Sequence, residues 1–189
     1  MSNLKNKTIP KNIFTKVTKA LSYFPSLENT PITFKFKKNI KKSTMQAQPE
    51  FLTVLFGKKH RRYVIFISEK FKISGTELKT RDIPYDVFVG WIGHELGHIM
   101  DYEEMSNLEL IWFGFKYILL EKHIINAERK ADHFAVKQGM EDYIMRTKNF
   151  ILNHADITQT YKNRMKRYYL SPEEIMQLVN DRDNVTLKP

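Results

Sequence analysis

The sequence predicts an α+β fold in which a small sheet precedes a set of helices. Three short runs rich in β-branched and aromatic residues lie between positions 32 and 68. From Asp86 onward, apolar residues recur with the helical period instead. The chain has 189 residues, of which 42% are hydrophobic and 13% aromatic, so one domain with a substantial core is expected. Strands followed by helices are typical of α+β domains.

The N-terminal half is predicted to contain one helix and three strands. The helix spans Pro10–Tyr23 and has one apolar face, formed by Ile13, Phe14, Val17 and Leu21. The expected strands are Ile32–Phe36, Phe51–Phe56 and Tyr63–Ser68. Because Gly57–His60 has the composition of a turn, the last two strands are expected to form a hairpin within a three-stranded sheet.

The C-terminal half is predicted to be helical throughout. The expected helices are Asp86–Glu104, a segment from Leu108 to Gln138 that can be broken, Asp142–Asn153, Asp156–Tyr169, and a last helix that begins with the capping box Ser171-Pro172-Glu173-Glu174. Gly139 is expected to cap the second of these. Gly90, Gly93 and Gly97 each cost a helix about 1 kcal/mol relative to alanine, which indicates close packing there. The tail from Asp181 is expected to fray.

These elements suggest three consecutive parts. Residues 1–30 form an N-terminal helical extension, residues 31–140 a central domain, and residues 141–189 a C-terminal helical extension packed on that same domain. The chain contains no cysteine, which excludes disulfides and any metal site built on thiolates.

The formal net charge of +10 has two interpretations. It can be an ordinary solvated, lysine-rich surface, or it can favour an anionic partner or surface, of which nucleic acid is the less expected. Met1–Lys19 has no apolar targeting segment. Leu110–Leu120 is shorter than the roughly 20 residues of a spanning helix, so a buried or interfacial helix is expected. We expect a cytoplasmic protein, and the sequence leaves open whether Leu110–Leu120 touches a membrane.

The string His94-Glu95-Leu96-Gly97-His98 carries the clearest chemical signal. Two histidines four positions apart share one helix face, so their imidazoles can converge on one cation. Glu95 lies where it can take a proton from a water activated by that cation and pass it to a leaving amine. The alternative is two solvent-facing histidines on an ordinary helix. The apolar flanks, from Val87 to Ile92 and at Ile99 and Met100, favour a buried site.

A second pair of residues can complete the site. Glu128 and Asp132 share one face of a predicted helix, and Ala127, Ala131 and Ala135 leave room for close packing. Glu128 can be the third metal ligand, and Asp132 can accept the N–H of a ligand histidine and so orient it. The alternative is an acidic pair on a solvated helix.

Together, His94-Glu-Leu-Gly-His98 and Glu128-Arg-Lys-Ala-Asp132 resemble the HExxH…ExxAD signature of gluzincin metallopeptidases. The pattern is similar to that of minigluzincins and of the catalytic domains of membrane prenyl-protein and heat-shock peptidases, over about residues 50 to 140. The resemblance implies a small zincin-like domain with one Zn²⁺ per chain on His94, His98 and Glu128, catalysis by Glu95, and orientation of a ligand histidine by Asp132. It also implies a strand with an open edge for an extended peptide, for which Tyr63, Val64, Ile65 and Phe66 are the candidates; the alternative is a plain core strand.

Hydrolysis of a peptide bond needs a donor for the developing oxyanion. The sequence offers five candidates without choosing among them: His133, His154, Tyr161, Arg164 and Tyr168. His60 and His123 are interpreted as surface or capping histidines.

Three functions are compatible with the sequence. The leading hypothesis is a zinc metallopeptidase that acts on a peptide or protein. The second is a regulatory zinc protein that cleaves or binds one cognate partner. The third is a basic module that binds nucleic acid or a membrane surface, in which case binding would weaken with salt and survive Glu95→Gln.

Overall fold

The computed structural model describes residues 4–38, 40, 43–73, 76–79, 83–153, 157 and 159–186. The strands are β1 (Lys7–Thr8), β2 (Ile32–Lys37), β3 (Met45–Pro49), β4 (Tyr63–Ser68), β5 (Lys70–Ile73) and β6 (Thr76–Lys79). The helices are α1 (Phe14–Leu21), α2 (Phe51–Leu55), α3 (Tyr85–Glu104), α4 (Asn107–Leu119), α5 (Glu121–Lys137), α6 (Glu141–Asn153), α7 (Gln159–Tyr168) and α8 (Pro172–Thr186). The α+β class is confirmed.

The main sheet has four strands in the order β1-β2-β4-β3, one more than expected. β1, β2 and β4 run parallel, whereas β3 runs antiparallel to β4, with Met45 opposite Ile67 and Pro49 opposite Tyr63. β5 and β6 form a separate two-stranded ribbon. The strands predicted at Ile32–Phe36 and Tyr63–Ser68 are therefore confirmed, as β2 and β4.

The predicted strand Phe51–Phe56 is wrong, and so is its hairpin with Tyr63–Ser68. Residues Phe51–Leu55 form the short helix α2, which buries only Val54. A short apolar run has no alternation to distinguish a strand from a helix. In this protein the run forms a short helix.

The antiparallel neighbour of β4 is instead β3, a strand that sequence analysis missed. Met45 and Ala47 are buried while Gln46 and Gln48 are exposed. This alternation was present in the sequence as a signal of period two. It was obscured because glutamine, alanine and proline are weak strand formers.

Helix α3 lies at the centre of the molecule, between the sheet and the other long helices. Phe88, Ile92 and Leu96 are fully buried, and they belong to one hydrophobic core that also contains Phe34 and Ile65 of the sheet. Helix α1 packs on α3 as well, and it buries Val17 and Leu21, although Phe14 of the predicted apolar face is 47% exposed.

The predicted helical segment Leu108–Gln138 is two helices, broken at Leu120. Leu120 has extended backbone angles (φ −124°, ψ 110°) and separates α4 from α5. Gly139 has φ +86° after α5, which confirms the predicted cap because glycine adopts this conformation without strain.

The capping box before α8 is also confirmed, since Glu174 N donates to Ser171 Oγ and Ser171 N donates to Glu174 Oε2. Of the predicted helix Asp156–Tyr169, the structure shows α7, and Asp156 and Thr158 lie outside the described residues. The predicted fraying from Asp181 is wrong, because α8 continues to Thr186. Arg182 holds this end by donating to both carboxylate oxygens of Glu141 and to Val136 O.

The glycines of α3 allow other helices to approach its backbone. A Cβ at Gly90 would overlap Tyr143 and Thr147 of α6, and a Cβ at Gly97 would overlap the carbonyl group of Ala131 in α5. The packing reason expected for these glycines is therefore present. The close approach at Gly97 also brings the two acidic residues of α5 toward the histidines of α3.

We expect Gly97→Ala to lower the free energy of unfolding by about 1–3 kcal/mol, because the added methyl group must displace the α5 backbone. Gly114→Ala in α4 is the matched control. A Cβ at Gly114 meets nothing within 4 Å, so this change should be neutral or stabilising by about 0.5–1 kcal/mol. Urea unfolding of both variants makes the comparison, and equal stability of the two would contradict the packing role of Gly97.

Candidate metal centre

His94 and His98 lie one turn apart on the inner face of α3, and both are buried. Their rings are 4.8 Å apart between centroids, at an interplanar angle of 85°. The Nε2 atoms of both rings face the same carboxylate, that of Glu128. The two histidines therefore converge on one point, as their spacing predicts.

Glu128 of α5 faces the two histidines. Its Oε2 atom lies 3.0 Å from His94 Nε2 and 3.7 Å from His98 Nε2. The other carboxylate oxygen, Oε1, accepts a hydrogen bond of 2.9 Å from the hydroxyl of Tyr117 in α4. The three ligand atoms lie within 4.8 Å of one another and all three residues are buried, so this group could hold a metal ion.

The two distances from Glu128 agree with the size of such a site. Bonds of about 2.0–2.1 Å in a tetrahedral arrangement place two ligand atoms roughly 3.3 Å apart. The two separations from Glu128 Oε2, 3.0 and 3.7 Å, lie on either side of that value. Two imidazole nitrogens and one carboxylate oxygen are a donor set that zinc accepts, with the fourth position open.

Asp132 orients the first histidine. Its Oδ1 atom is 2.9 Å from His94 Nδ1, so the ring can donate its Nδ1 proton to the carboxylate and keep Nε2 for an ion. Within the described part of the chain, the buried His98 Nδ1 has no hydrogen-bond partner. The two histidines are therefore supported unequally, and only His94 has the expected carboxylate.

Asp132 is in turn held by two groups that sequence analysis missed. Lys148 Nζ of α6 donates to Asp132 Oδ2 over 2.7 Å, and the backbone N–H of Leu170 donates to the same oxygen over 3.1 Å. Lys148 is 4% exposed and lies on the buried face of α6 with Ile144 and Ile151. A lysine on the apolar face of an amphipathic helix was the available signal.

The electrostatics couple these groups. Burial by itself lowers the pKa of His94, but the hydrogen bonds that its ring donates to the Asp132 and Glu128 carboxylates raise the pKa to about 10. Burial likewise disfavours charge on Glu128, yet its contacts with the two histidines hold the pKa of this carboxyl well below its usual range. A proton on His94 therefore offsets the negative charge of the two carboxylates, and a metal ion bound at His94 Nε2 would displace that proton.

Glu95 lies next to the first histidine and is also buried. Its Oε2 atom accepts a hydrogen bond of 2.6 Å from the backbone N–H of Ala47 in β3. Burial raises the pKa of Glu95, and the nearby His98 and His94 partly offset this effect. A raised pKa suits a carboxylate that accepts and then returns a proton near neutral pH.

These residues line a cavity of about 550 Å³. β3 and the inner face of α4 contribute to its walls, the latter through Leu110, Phe113 and Tyr117. Of the candidate oxyanion donors, Tyr161 and Arg164 line this cavity. Two further tyrosines that sequence analysis did not select, Tyr117 and Tyr169, line it as well.

Two of the other candidate donors, His133 and Tyr168, are not brought to the site. His133 is exposed on the outer side of α5, because it follows Asp132 by only one position on the helix. Tyr168 donates its hydroxyl to Glu121 instead. His154 lies outside the described residues. His60 is exposed and His123 is half-buried, and neither lines the cavity.

The strand proposed as the open edge must be corrected. Tyr63, Val64, Ile65 and Phe66 belong to β4, which is paired with β2 on one side and with β3 on the other. Both edges of β4 are therefore occupied. The edge of the sheet that faces the cavity is β3, whose residues from Met45 to Pro49 line it.

Comparison with models of known protein families, with curated proteins and with solved structures finds no match for this chain. Among the described residues, no helix combines the length and the apolar character that crossing a bilayer requires. The chemistry of the site is therefore inferred from its own residues and their geometry.

Proposed function

We propose that this chain is a zinc-dependent metallopeptidase of the gluzincin type. The observation that carries the proposal is the convergence of His94, His98 and Glu128 on one buried point, with Glu95 beside it. Zinc suits this ligand set because it accepts imidazole and carboxylate ligands in a three-residue site. When bound, zinc would supply a Lewis acid that activates water near neutral pH.

The roles of the protein groups follow from their contacts. Glu95 takes the proton of the attacking water and returns it to the leaving amine. Asp132 keeps His94 in the orientation and tautomer that a ligand needs, and Tyr117 holds the second oxygen of Glu128. Tyr161 and Arg164 are the candidate donors for the oxyanion, since both line the cavity.

A peptide substrate is favoured by the wall that β3 forms. Ala47 directs its N–H away from β4 and toward Glu95, and its C=O lies 3.4 Å from the hydroxyl of Tyr102. Backbone groups that face a cavity can pair with an extended peptide, main chain to main chain. Pro49 at the end of this strand has no N–H to offer. Ala47 already uses its N–H for Glu95 and its C=O for Tyr102, so an extended peptide would pair with Ala47 only by replacing these two contacts.

Metal analysis of the purified protein tests the zinc site. We expect about one zinc ion per chain. Glu128→Ala should lower zinc affinity by more than the roughly 10–100-fold that loss of an outer hydrogen-bond partner costs. Glu121→Ala on the same helix is the control, because Glu121 is bonded to Arg167 and Tyr168 rather than to the histidines. A protein that binds no zinc, or equal affinity in both variants, would contradict the site.

A further inference from the structure

Helix α4 is exposed to solvent along a stripe of large apolar side chains. Leu108, Trp112, Phe115 and Leu119 recur at helical spacing on one face, and each is at least 58% exposed. The opposite face contains Leu110, which is buried, and Phe113 and Tyr117, which line the cavity. A surface helix normally has one apolar face toward the core and polar side chains toward solvent. In α4 both faces are apolar, so the core does not account for the exposed one.

Helix α2 adds a second exposed apolar segment next to α4. Phe51, Leu52, Leu55 and Phe56 are all exposed. The two helices are joined where α4 begins, since Asn107 Nδ2 donates to Val54 O over 2.6 Å. This contact places α2 beside the first turn of α4, and the exposed residues of the two helices are here called the α2–α4 face. Clusters of this kind usually mark an interaction surface.

Basic residues border this face. Lys58, Lys59 and Arg62 follow α2, and Lys116 and Lys122 lie in and just after α4; all five are exposed. Two acidic residues are also near. Glu109 caps the start of α4 through Ser106, and Glu121 is bonded to Arg167 and Tyr168. The charge of the rim is therefore positive, as is the charge of the whole chain.

We propose that the α2–α4 face docks onto a lipid bilayer that carries anionic headgroups. Tryptophan, phenylalanine and leucine on one side, with lysine and arginine around them, are the composition of helices that lie in a membrane interface. The apolar side chains enter the boundary of the acyl chains, and the cations contact the headgroups. With 13 residues, α4 is about 20 Å long, so it lies on the bilayer rather than spanning it.

Charge favours a lipid surface over a second copy of the chain. In a two-fold dimer the same patch meets itself, so the five basic residues of one copy would face those of the other. An anionic surface instead pairs with all of them at once. Ile118 is 81% exposed and also lines the cavity, so the mouth of the cavity adjoins the docking face.

Vesicle flotation of the full chain tests the proposal without any activity assay. We expect the protein to float with vesicles that contain phosphatidylglycerol, and to float less as salt is raised. Pure phosphatidylcholine vesicles should retain little protein. Trp112→Ser combined with Phe115→Ser should weaken binding at least about tenfold, since each ring buries apolar area in the interface.

Met176→Ser is the matched control, because Met176 is 53% exposed on α8 and lies outside the α2–α4 face. It should bind vesicles as the unmodified protein does. Tryptophan fluorescence gives a second readout: Trp112 is 64% exposed and Trp91 only 7%, so a blue shift on vesicle addition should be lost in the Trp112→Ser variant. Circular dichroism of each variant tests whether it is folded.

Two results would overturn the proposal. One is the absence of binding to anionic vesicles at low salt. The other is self-association in solution that the Trp112→Ser and Phe115→Ser changes abolish while vesicle binding is unaffected, which would assign the face to a second copy of the chain. Neither result depends on zinc binding or catalysis, so the proposed function is tested separately.

Discussion

Glu95→Gln is expected to reduce peptide hydrolysis by about 10²–10⁴-fold while the protein retains its zinc. The amide has nearly the shape of the carboxylate, but it cannot accept the proton of the attacking water. Its carbonyl oxygen can still accept the hydrogen bond that Ala47 N–H donates to Glu95. The β3 wall and the three ligands should therefore be preserved, and the loss should appear in turnover.

A proteome-wide comparison of cleavage products from the unmodified and Glu95→Gln proteins measures this effect and also identifies the substrate. Glu104→Gln is the matched control, since Glu104 ends the same helix, is exposed and interacts with Lys130. Fragments that persist in Glu95→Gln would assign the base to another residue. A zinc-loaded protein that generates no fragments from any source would favour the regulatory hypothesis, in which the chain binds a partner.

Lys148→Met is expected to lower the free energy of unfolding of the metal-free protein by about 3–5 kcal/mol. The change removes the ammonium group from a pair in which both side chains are at most 5% exposed. Asp132 would then remain buried with only His94 and the Leu170 N–H as partners. Breaking a buried pair on one side is costly because it leaves the other charge uncompensated.

The pH dependence of this effect has a defined sign. Burial alone would raise the pKa of Asp132, but Lys148 and His94 hold it below its usual range. A lowered native pKa stabilises the folded state above the unfolded value, about 3.9, and this contribution is lost as the pH falls through the native pKa. The difference between Lys148→Met and the unmodified protein should therefore be largest near neutral pH and narrow below about pH 4.

Two further variants isolate the interaction. Arg146 lies on the same helix and forms an exposed ion pair with Asp86, at 3.7 Å. Arg146→Met removes this pair and should lower the free energy of unfolding by at most about 1 kcal/mol. Adding Asp132→Asn to Lys148→Met should recover part of the loss, because the buried charge is removed. Urea unfolding measures all of them, and a cost of less than about 1 kcal/mol for Lys148→Met would show that this pair does not stabilise the fold.

The long helices and the ligand set could be predicted because their signals are local. The apolar period of α3 and the spacing of His94 and His98 lie within one helix, where geometry determines which side chains share a face. The same holds for Glu128 and Asp132 in α5, and for the cap at Gly139. The catalytic role of these residues and the gluzincin relationship remain predictions for the experiments above.

Strand pairing could not be predicted in the same way. The sequence favoured a hairpin between residues 51–56 and 63–68, whereas the structure pairs β4 with the polar strand β3 and turns Phe51–Leu55 into a helix. Whether a segment forms a strand depends mainly on the neighbours that it packs against, because the intrinsic preference of its residues for the extended conformation is weak. Because β3 pairs with β4, the strand at the edge of the cavity is β3 and not β4, which the sequence had suggested.

The sequence by itself therefore determined which residues can bind a metal and which helices carry them, because helical periodicity relates neighbouring positions. Only the tertiary structure decided what surrounds that site. Lys148 and the Leu170 N–H reach Asp132 from α6 and from the segment after α7, and Tyr117 reaches Glu128 from α4. Contacts between elements distant along the chain depend on how helices pack. The glycines of α3 indicated that other helices approach it closely, but no local pattern indicated which side chains would meet there.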